Sequence, residues 1–320
     1  MFFETFSFMY DWGLNLIRSI QSVSSPVLTA FVKGITFLGN PEFCIAVFVF
    51  LLWCVDEKKG FRLAVLLGFS GGLNVVIKNA LQIPRPFELD PSVKLLDAKN
   101  FSTPSGHAQN SAIMWPFFAK NIHFLQKKRF SILKNVVAVL LPLLIGFSRV
   151  YLGVHYPSDV LIGWVIGFLF ILISFLFWQK VSLFFEKLQH SLKILFCFAP
   201  CFLLLYIDKS QIEIPAFLFG FTIGRVFINE KGGFSAADGK IYQKIIRLIV
   251  GVSGAIIIYF VLNFAKEFHQ ISRYVIFIQF LFLGWWLTFG APVIFGKLHL
   301  TGVKKAESTE EINNGEKNDK

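Results

Sequence analysis

The chain has 320 residues, 55% of them hydrophobic, with 40 phenylalanines, only 16% charged residues and a mean hydropathy of +0.62. Those values are too apolar for an ordinary soluble domain and mark a polytopic membrane protein. The formal net charge of +11 is accounted for by basic cytoplasmic loops, so no nucleic acid is expected as a partner.

The first residues lack the basic start of a cleavable signal peptide and carry Glu4 and Asp11, so the sequence reads as retaining them. Phe2, Phe6, Met9, Leu16 and Ile20 interleave with Glu4, Asp11, Asn15 and Arg18, a pattern suited to a helix lying in the membrane interface. Ser24-Ser25-Pro26 opens a second such piece, which ends near Gly39-Asn40-Pro41, where proline suits the first turn of the next helix. Apolar stretches then predict spans over 42–55, 61–83, 104–118, 132–151, 157–178, 192–207, 214–227, 246–264 and 274–295. The expected fold is all-α, a polytopic membrane helical bundle of about nine transmembrane helices. Its regions are an interfacial amphipathic segment at 1–40, a core at 41–180, additional transmembrane helices at 181–300, and a charged, disordered tail at 301–320. Cys44, Cys54, Cys197 and Cys201 all fall in apolar segments without a metal-ligand pattern and read as small buried hydrophobes.

Charge sets the expected orientation, because Lys and Arg concentrate on cytoplasmic loops. With the Lys58-Lys59 loop inside, Lys127-Lys128-Arg129, Lys180, Lys187, Lys231, Lys240, Lys244, Arg247 and Lys304-Lys305 also fall inside. An odd number of spans then puts the N-terminus outside, the tail in the cytoplasm, and Lys78, Arg85 and Arg149 on the outer face.

Three polar clusters stand at the ends of predicted spans. In the third, Ser148-Arg149 precedes His155, and Pro157 starts the next helix with Asp159 in its first turn. A carboxylate at that spacing can hold one imidazole nitrogen and leave the other free to attack. Alone, the pair also fits an interface histidine beside a capping aspartate. In the second, Ser102-Thr103-Pro104 reads as cap and N1 proline, making Ser105, Gly106 and His107 the opening turn of a helix. Unpaired NH groups at such an end suit an oxyanion, and His107 can donate a proton to a leaving group. The first cluster runs from Lys78 to Arg85-Pro86; a lone lysine there would be a snorkelling anchor, but with Arg85 and Arg149 it completes a three-cation clamp for phosphate.

Lys, six residues, Arg-Pro; Pro-Ser-Gly-His; and Ser-Arg, five residues, His, three residues, Asp together resemble the type 2 phosphatidic acid phosphatase (PAP2) superfamily, over roughly 35–178. The resemblance implies a phosphohistidine at His155, proton donation by His107 and support of the nucleophile by Asp159. It further implies phosphoryl binding by Lys78, Arg85, Ser105, Gly106 and Arg149, and neither metal nor cofactor. The third motif looks more like the bacterial lipid enzymes than the sugar-phosphate branch, so the expected substrate is a lipid phosphate or diphosphate and the expected location a bacterial cytoplasmic membrane. Two other readings keep the same residues: a transferase passing the phosphoryl group to another lipid, and a transporter or flippase using the clamp to bind an anionic lipid. Helices beyond 178 exceed the minimal family core, and the motifs say nothing of their task.

Overall fold

Proline, serine and aspartate start most helices of the chain, which a computed structural model describes over residues 7–266 and 272–301. The expectations placed on Phe2, Glu4 and Phe6 and on the tail beyond 301 lie outside those residues. Among the described residues there is no strand. After α1 (Ser7–Gln21), the Ser25 hydroxyl accepts from Leu28 N at 3.2 Å and Pro26 opens α2 (Pro26–Phe37). Pro41 opens α3 (Pro41–Phe50), which runs on into a wider turn, Leu51–Val55. Asp56 then caps α4 (Glu57–Leu81) by accepting from Lys58 N and Lys59 N at 3.1 and 3.0 Å.

The remaining α-helices of more than five residues are α5 (Gly106–Asn121), α6 (Leu141–Tyr151), α7 (Pro157–Lys187), α8 (His190–Ile207), α9 (Glu213–Glu230), α10 (Ile241–Lys266), α11 (Ser272–Trp285) and α12 (Ala291–Lys297). Wider i→i+5 turns, Val136–Leu140 and Trp286–Gly290, precede α6 and α12. Each sits just before a proline, Pro142 or Pro292, which lacks the NH that an α-turn needs; Leu141 N and Ala291 N bond back to Val136 O and Trp286 O instead.

Among the described residues six helical stretches are long and apolar enough to cross a membrane, and α2 with the helix after it (Pro41–Val55), bent by 46°, makes a seventh if the pair is one span. The expected count of nine is not reached on those grounds. The two segments that fall short are α5, only 16 residues long, and α9, which carries Glu213, Arg225 and Glu230 within its 18 residues.

The chain divides into two compact units, one of residues 1–48 and 62–187 and the other of residues 49–61 and 188–320. In the first unit, α5 and α7 meet backbone to backbone. A Cβ on Gly163 would stand 2.6 Å from Ser105 O, and one on Gly167 2.4 Å from Gln109 O, so this small-xxx-small pair holds the first turns of both helices side by side. From α1, Tyr10, Leu14 and Ile17 pack with Ile83, Val93, Val150 and Tyr156. The loop after α6 turns at Gly153, which has φ 69° and whose Cβ would stand 1.9 Å from Val93 O; only glycine fits there.

The second unit has its own core. Trp53 Nε1 donates to Leu287 O at 2.9 Å, and the fully buried Arg247 donates to Trp53 O (2.8 Å), Ala236 O (3.0 Å) and Leu300 O (2.7 Å). All four cysteines are free and buried.

Candidate active site

Pro157 begins α7 immediately after the tight turn at Gly153, so His155 lies in the connection and Asp159 one helical turn beyond. Both side chains are buried, at 2% and 1% exposure. His155 Nδ1 is 3.4 Å from Asp159 Oδ2 and 3.4 Å from Ser102 Oγ. The carboxylate is thoroughly satisfied: Ser102 Oγ donates to Oδ2 at 2.5 Å, Tyr156 N donates to Oδ2 at 2.8 Å, and Thr103 Oγ1 donates to Oδ1. With Nδ1 turned to the carboxylate, Nε2 is the nitrogen left for chemistry, and it faces Arg85 Nη1 at 3.3 Å. Burial, opposed by Asp159 and reinforced by the Arg85 and Arg149 guanidiniums, pushes His155 down to about 3, so the imidazole is neutral at physiological pH.

Three cations close around this imidazole from different elements. Lys78, in the last turn of α4, donates to Ser102 O at 2.8 Å and to Phe101 O. Arg85 N donates to Glu88 Oε2 at 2.7 Å, while the guanidinium reaches Asn100 O (2.8 Å), Val154 O (2.7 Å) and Lys99 O (2.6 Å). Asn100 presents its carbonyl from a left-handed conformation, φ 64°, which asparagine tolerates better than most residues. Arg149 in α6 donates from Nη1 to Thr36 Oγ1 of α2 at 2.8 Å, and its buried Nε has no partner. No carboxylate pairs with Lys78 or Arg149 among the described residues. Buried positive charge left in that state is suited to a multiply charged anion.

The opening turn of α5 supplies the third side. Ser105 is fully buried and is itself the cap, its hydroxyl accepting from Ala108 N at 3.5 Å, and the helix begins at Gly106. The expected arrangement, with the cap in Ser102-Thr103 and Pro104 at N1, is therefore corrected: the Asp159 carboxylate takes the hydroxyls of Ser102 and Thr103. The turn is fixed from below, because Ser105 N donates to Asp159 O at 2.9 Å and Asn74 Nδ2 donates to Gln109 Oε1 at 2.8 Å and Pro104 O at 3.3 Å. Gln109 Nε2 in turn donates to Ser70 O and Oγ at 2.7 and 2.6 Å. A methyl at Gly106 would come no closer than 3.6 Å to any atom, Asn74 Oδ1 being the nearest. His107 Nε2 is 2.7 Å from Asn40 Oδ1, and the ring lies within electrostatic range of Arg149, His155, Arg85 and Lys78.

All eight residues singled out from the sequence thus meet at one end of the first unit. Sequence reasoning missed the partners that hold them. Asn40 and Thr36, which bond His107 and Arg149, had been read only as a helix boundary and an interfacial piece. Ser102 and Thr103 had been assigned to the helix start. Tyr151, at the end of α6, shares a hydrogen bond with Thr29 Oγ1 at 3.0 Å. Among the described residues no group of three or more His, Cys, Asp or Glu could hold a metal ion.

Comparison with known proteins gives these residues a context. The PAP2 superfamily matches residues 59–183, and a second family, the transmembrane extension of PAP2 superfamily phosphatases, matches 212–305. Phosphatidylglycerophosphatase B of Bacillus subtilis (strain 168) is 33% identical over 175 residues, 52% of this chain and 82% of that protein. Lipid phosphate phosphatase delta of Arabidopsis thaliana is 29% identical over 171 residues, 49% of this chain but only 40% of the longer plant protein. A crystal structure of a transmembrane PAP2-type phosphatidylglycerolphosphate phosphatase from Bacillus subtilis aligns with a TM-score of 0.44 at 27% identity, covering 59% of this chain and 96% of that one.

Proposed function

We propose that this chain, which belongs to the PAP2 superfamily of membrane phosphatases, hydrolyses a lipid phosphate or diphosphate without a metal, through a phosphohistidine at His155. What carries the proposal is the division of the buried imidazole, Nδ1 turned to a saturated Asp159 carboxylate and Nε2 turned to Arg85. An orienting carboxylate serves nucleophilic attack on a phosphoryl group gathered by Lys78, Arg85, Arg149 and the NH groups at the start of α5. The family names of lipid phosphatases support the substrate class, and so does the site's position at span ends, where a headgroup can enter while its chains stay between helices.

In the first step the Nε2 lone pair forms a bond to phosphorus as the bond to the leaving oxygen breaks, and that oxygen takes a proton from His107. In the second, water attacks the phosphohistidine as His107 accepts its proton, the P–N bond breaks and phosphate leaves. The concentration of basic residues in the loops assigned to the cytoplasm supports placing the site on the outer face, with the C-terminus inside.

The test is rapid acid-free quenching of the enzyme with labelled phosphatidate, followed by His155→Ala. Wild-type protein carries alkali-stable, acid-labile label; the variant carries none and releases no phosphate. Turnover retained in His155→Ala would sink the assignment. A transferase would move the label to added acceptor lipid, and a transporter would bind substrate reversibly and release no phosphate in detergent.

A further inference from the structure

The end of the first unit away from the catalytic cluster carries a second group of cations that the reaction does not use. Arg62 precedes Lys78 on α4 by 16 residues, about 24 Å at 1.5 Å per residue. Its Nε and Nη2 donate to Ser174 Oγ (2.7 Å) and Ser174 O (2.6 Å) of α7. The guanidinium carbon lies 5.7, 5.4 and 5.4 Å from the ring centres of Phe117, Phe175 and Trp178. Lys120, at the end of α5, stands 3.7 Å from the centre of the same Phe175 ring, and Lys180 stands 5.9 Å from that of Phe177. None of the three cations meets a carboxylate within 4.0 Å among the described residues.

A cation that merely snorkels extends its head into water. Arg62 is instead folded back and pinned, half-buried, between a serine and three aromatic rings. Two of the residues that pin it, Ser174 and Trp178, also line an apolar groove of about 260 Å³ between α4 and α7, with Val65, Leu66 and Phe69 on one side and Phe170, Ile173, Phe177 and Val181 on the other. From Phe170 to Val181 the groove runs about 16 Å along the helix. Lys127, Lys128 and Arg129 follow α5 in sequence, and α7 ends with Glu186 and Lys187.

A long hydrocarbon slot with fixed, unpaired positive charge at its rim has one natural occupant. We propose that this site binds a phospholipid with an anionic headgroup, its phosphate held by Arg62 with Lys120 and Lys180, and one acyl chain laid in the groove. The lipid is structural and regulatory rather than substrate, since the cations lie at the far end of α4 from Lys78. Each cation strengthens headgroup attraction about fivefold, the equivalent of about 1 kcal/mol.

The test uses the full chain in nanodiscs of phosphatidylcholine containing a minor share of phosphatidylglycerol, with vanadate present to fill the catalytic cluster, and counts retained lipid by native mass spectrometry. Wild-type protein is expected to enrich phosphatidylglycerol over phosphatidylcholine, with the enrichment falling about fivefold in Arg62→Gln and again in Lys120→Gln. Ile173→Trp, at an exposed groove position, abolishes it with the cations intact. Lys120→Gln and Ile173→Trp alter exposed side chains, so they decide the matter even if Arg62→Gln does not fold. Undiminished enrichment in both, enrichment that is seen only when vanadate is left out, or its displacement by soluble glycerol phosphate would each overturn the proposal, the last two by assigning the binding to the catalytic cluster or to a free anion.

Discussion

Asn40 offers the sharpest test of how the proposed acid is held. Its Oδ1 lies 2.7 Å from His107 Nε2, so Nε2–H donates to it, and in the proposed step the proton given to the leaving oxygen comes from Nδ1 of the imidazolium, which leaves the ring neutral and ready to take a proton from water. Asn40→Ala removes this acceptor from a ring that also sits among Arg149, Arg85 and Lys78. Loss of one hydrogen bond to a partly buried polar group costs about 1–3 kcal/mol, or about 5- to 150-fold in rate if the whole cost falls on the transition state. The loss should appear in kcat for an alkyl phosphate, whose leaving oxygen needs a proton, and shrink for a nitrophenyl phosphate, whose leaving group departs as a stable anion. KM and vanadate inhibition stay near wild type, because Asn40 makes no bond to Lys78, Arg85 or Arg149. Asn40→Asp, which restores an acceptor, recovers part of the rate. Equal losses on both substrates would mean that Asn40 shapes the site in general, and full activity in Asn40→Ala would remove it from the mechanism altogether.

Gly106→Ala should fold with an unchanged Tm, since the added methyl meets nothing closer than 3.6 Å, yet lose at least tenfold in activity and vanadate affinity, about 1.4 kcal/mol, if an oxyanion approaches that backbone; a fully active variant refutes the approach. Gly153→Ala combines a left-handed φ with a Cβ 1.9 Å from Val93 O, so more than about 1–3 kcal/mol of stability should be lost, read as a drop in Tm. The pH dependence of stability should carry the mark of His155. Its pKa falls from 6.5 to about 3 on folding, so between those values the unfolded chain takes up a proton that the folded chain refuses, and stability declines as pH drops through that window. His155→Asn should flatten the decline, and an unaltered slope would show that the imidazole is not held neutral.

The meeting of Lys78, Arg85, Ser105, Gly106, His107, Arg149, His155 and Asp159 was legible because each stands at a helix end, and a membrane forces such ends to a common level. The helix starts at Pro26, Pro41 and Pro157 were legible for an equally local reason, the fixed φ of proline. Asn40 and Thr36 were not, since their bonds to His107 and Arg149 arise only when α2 and its following turn pack against α5 and α6. The cap of α5 was misread because Ser102, Thr103 and Ser105 are equivalent as local signals. What separates them is Asp159, more than fifty residues away, which draws two of the three hydroxyls to itself. The count of spans suffered from the opposite problem: α5 and α9 are apolar enough to be seen as elements, but one is too short and the other too charged to be settled by composition.

The placement of the catalytic groups depends less on the loops that carry them than on the contact between α5 and α7. Asp159 sits in the first turn of α7 and His107 in the first turn of α5, and those turns are held together by Ser105 N on Asp159 O and by Gly163 lying against Ser105 O. One turn further on, Gly167 against Gln109 O repeats the contact, and Gln109 passes it to Asn74 and Ser70 of α4, the helix whose last turn carries Lys78. Asp159, His107 and Lys78, the proposed nucleophile support, proton donor and first cation, are therefore positioned by three helix backbones in direct or single-hydrogen-bond contact, the kind of rigid mounting that phosphoryl transfer requires when positioning supplies most of the rate. Arg85 is set by backbone carbonyls of the 99–100 loop and by Val154, and Arg149 leans on α2 through Thr36.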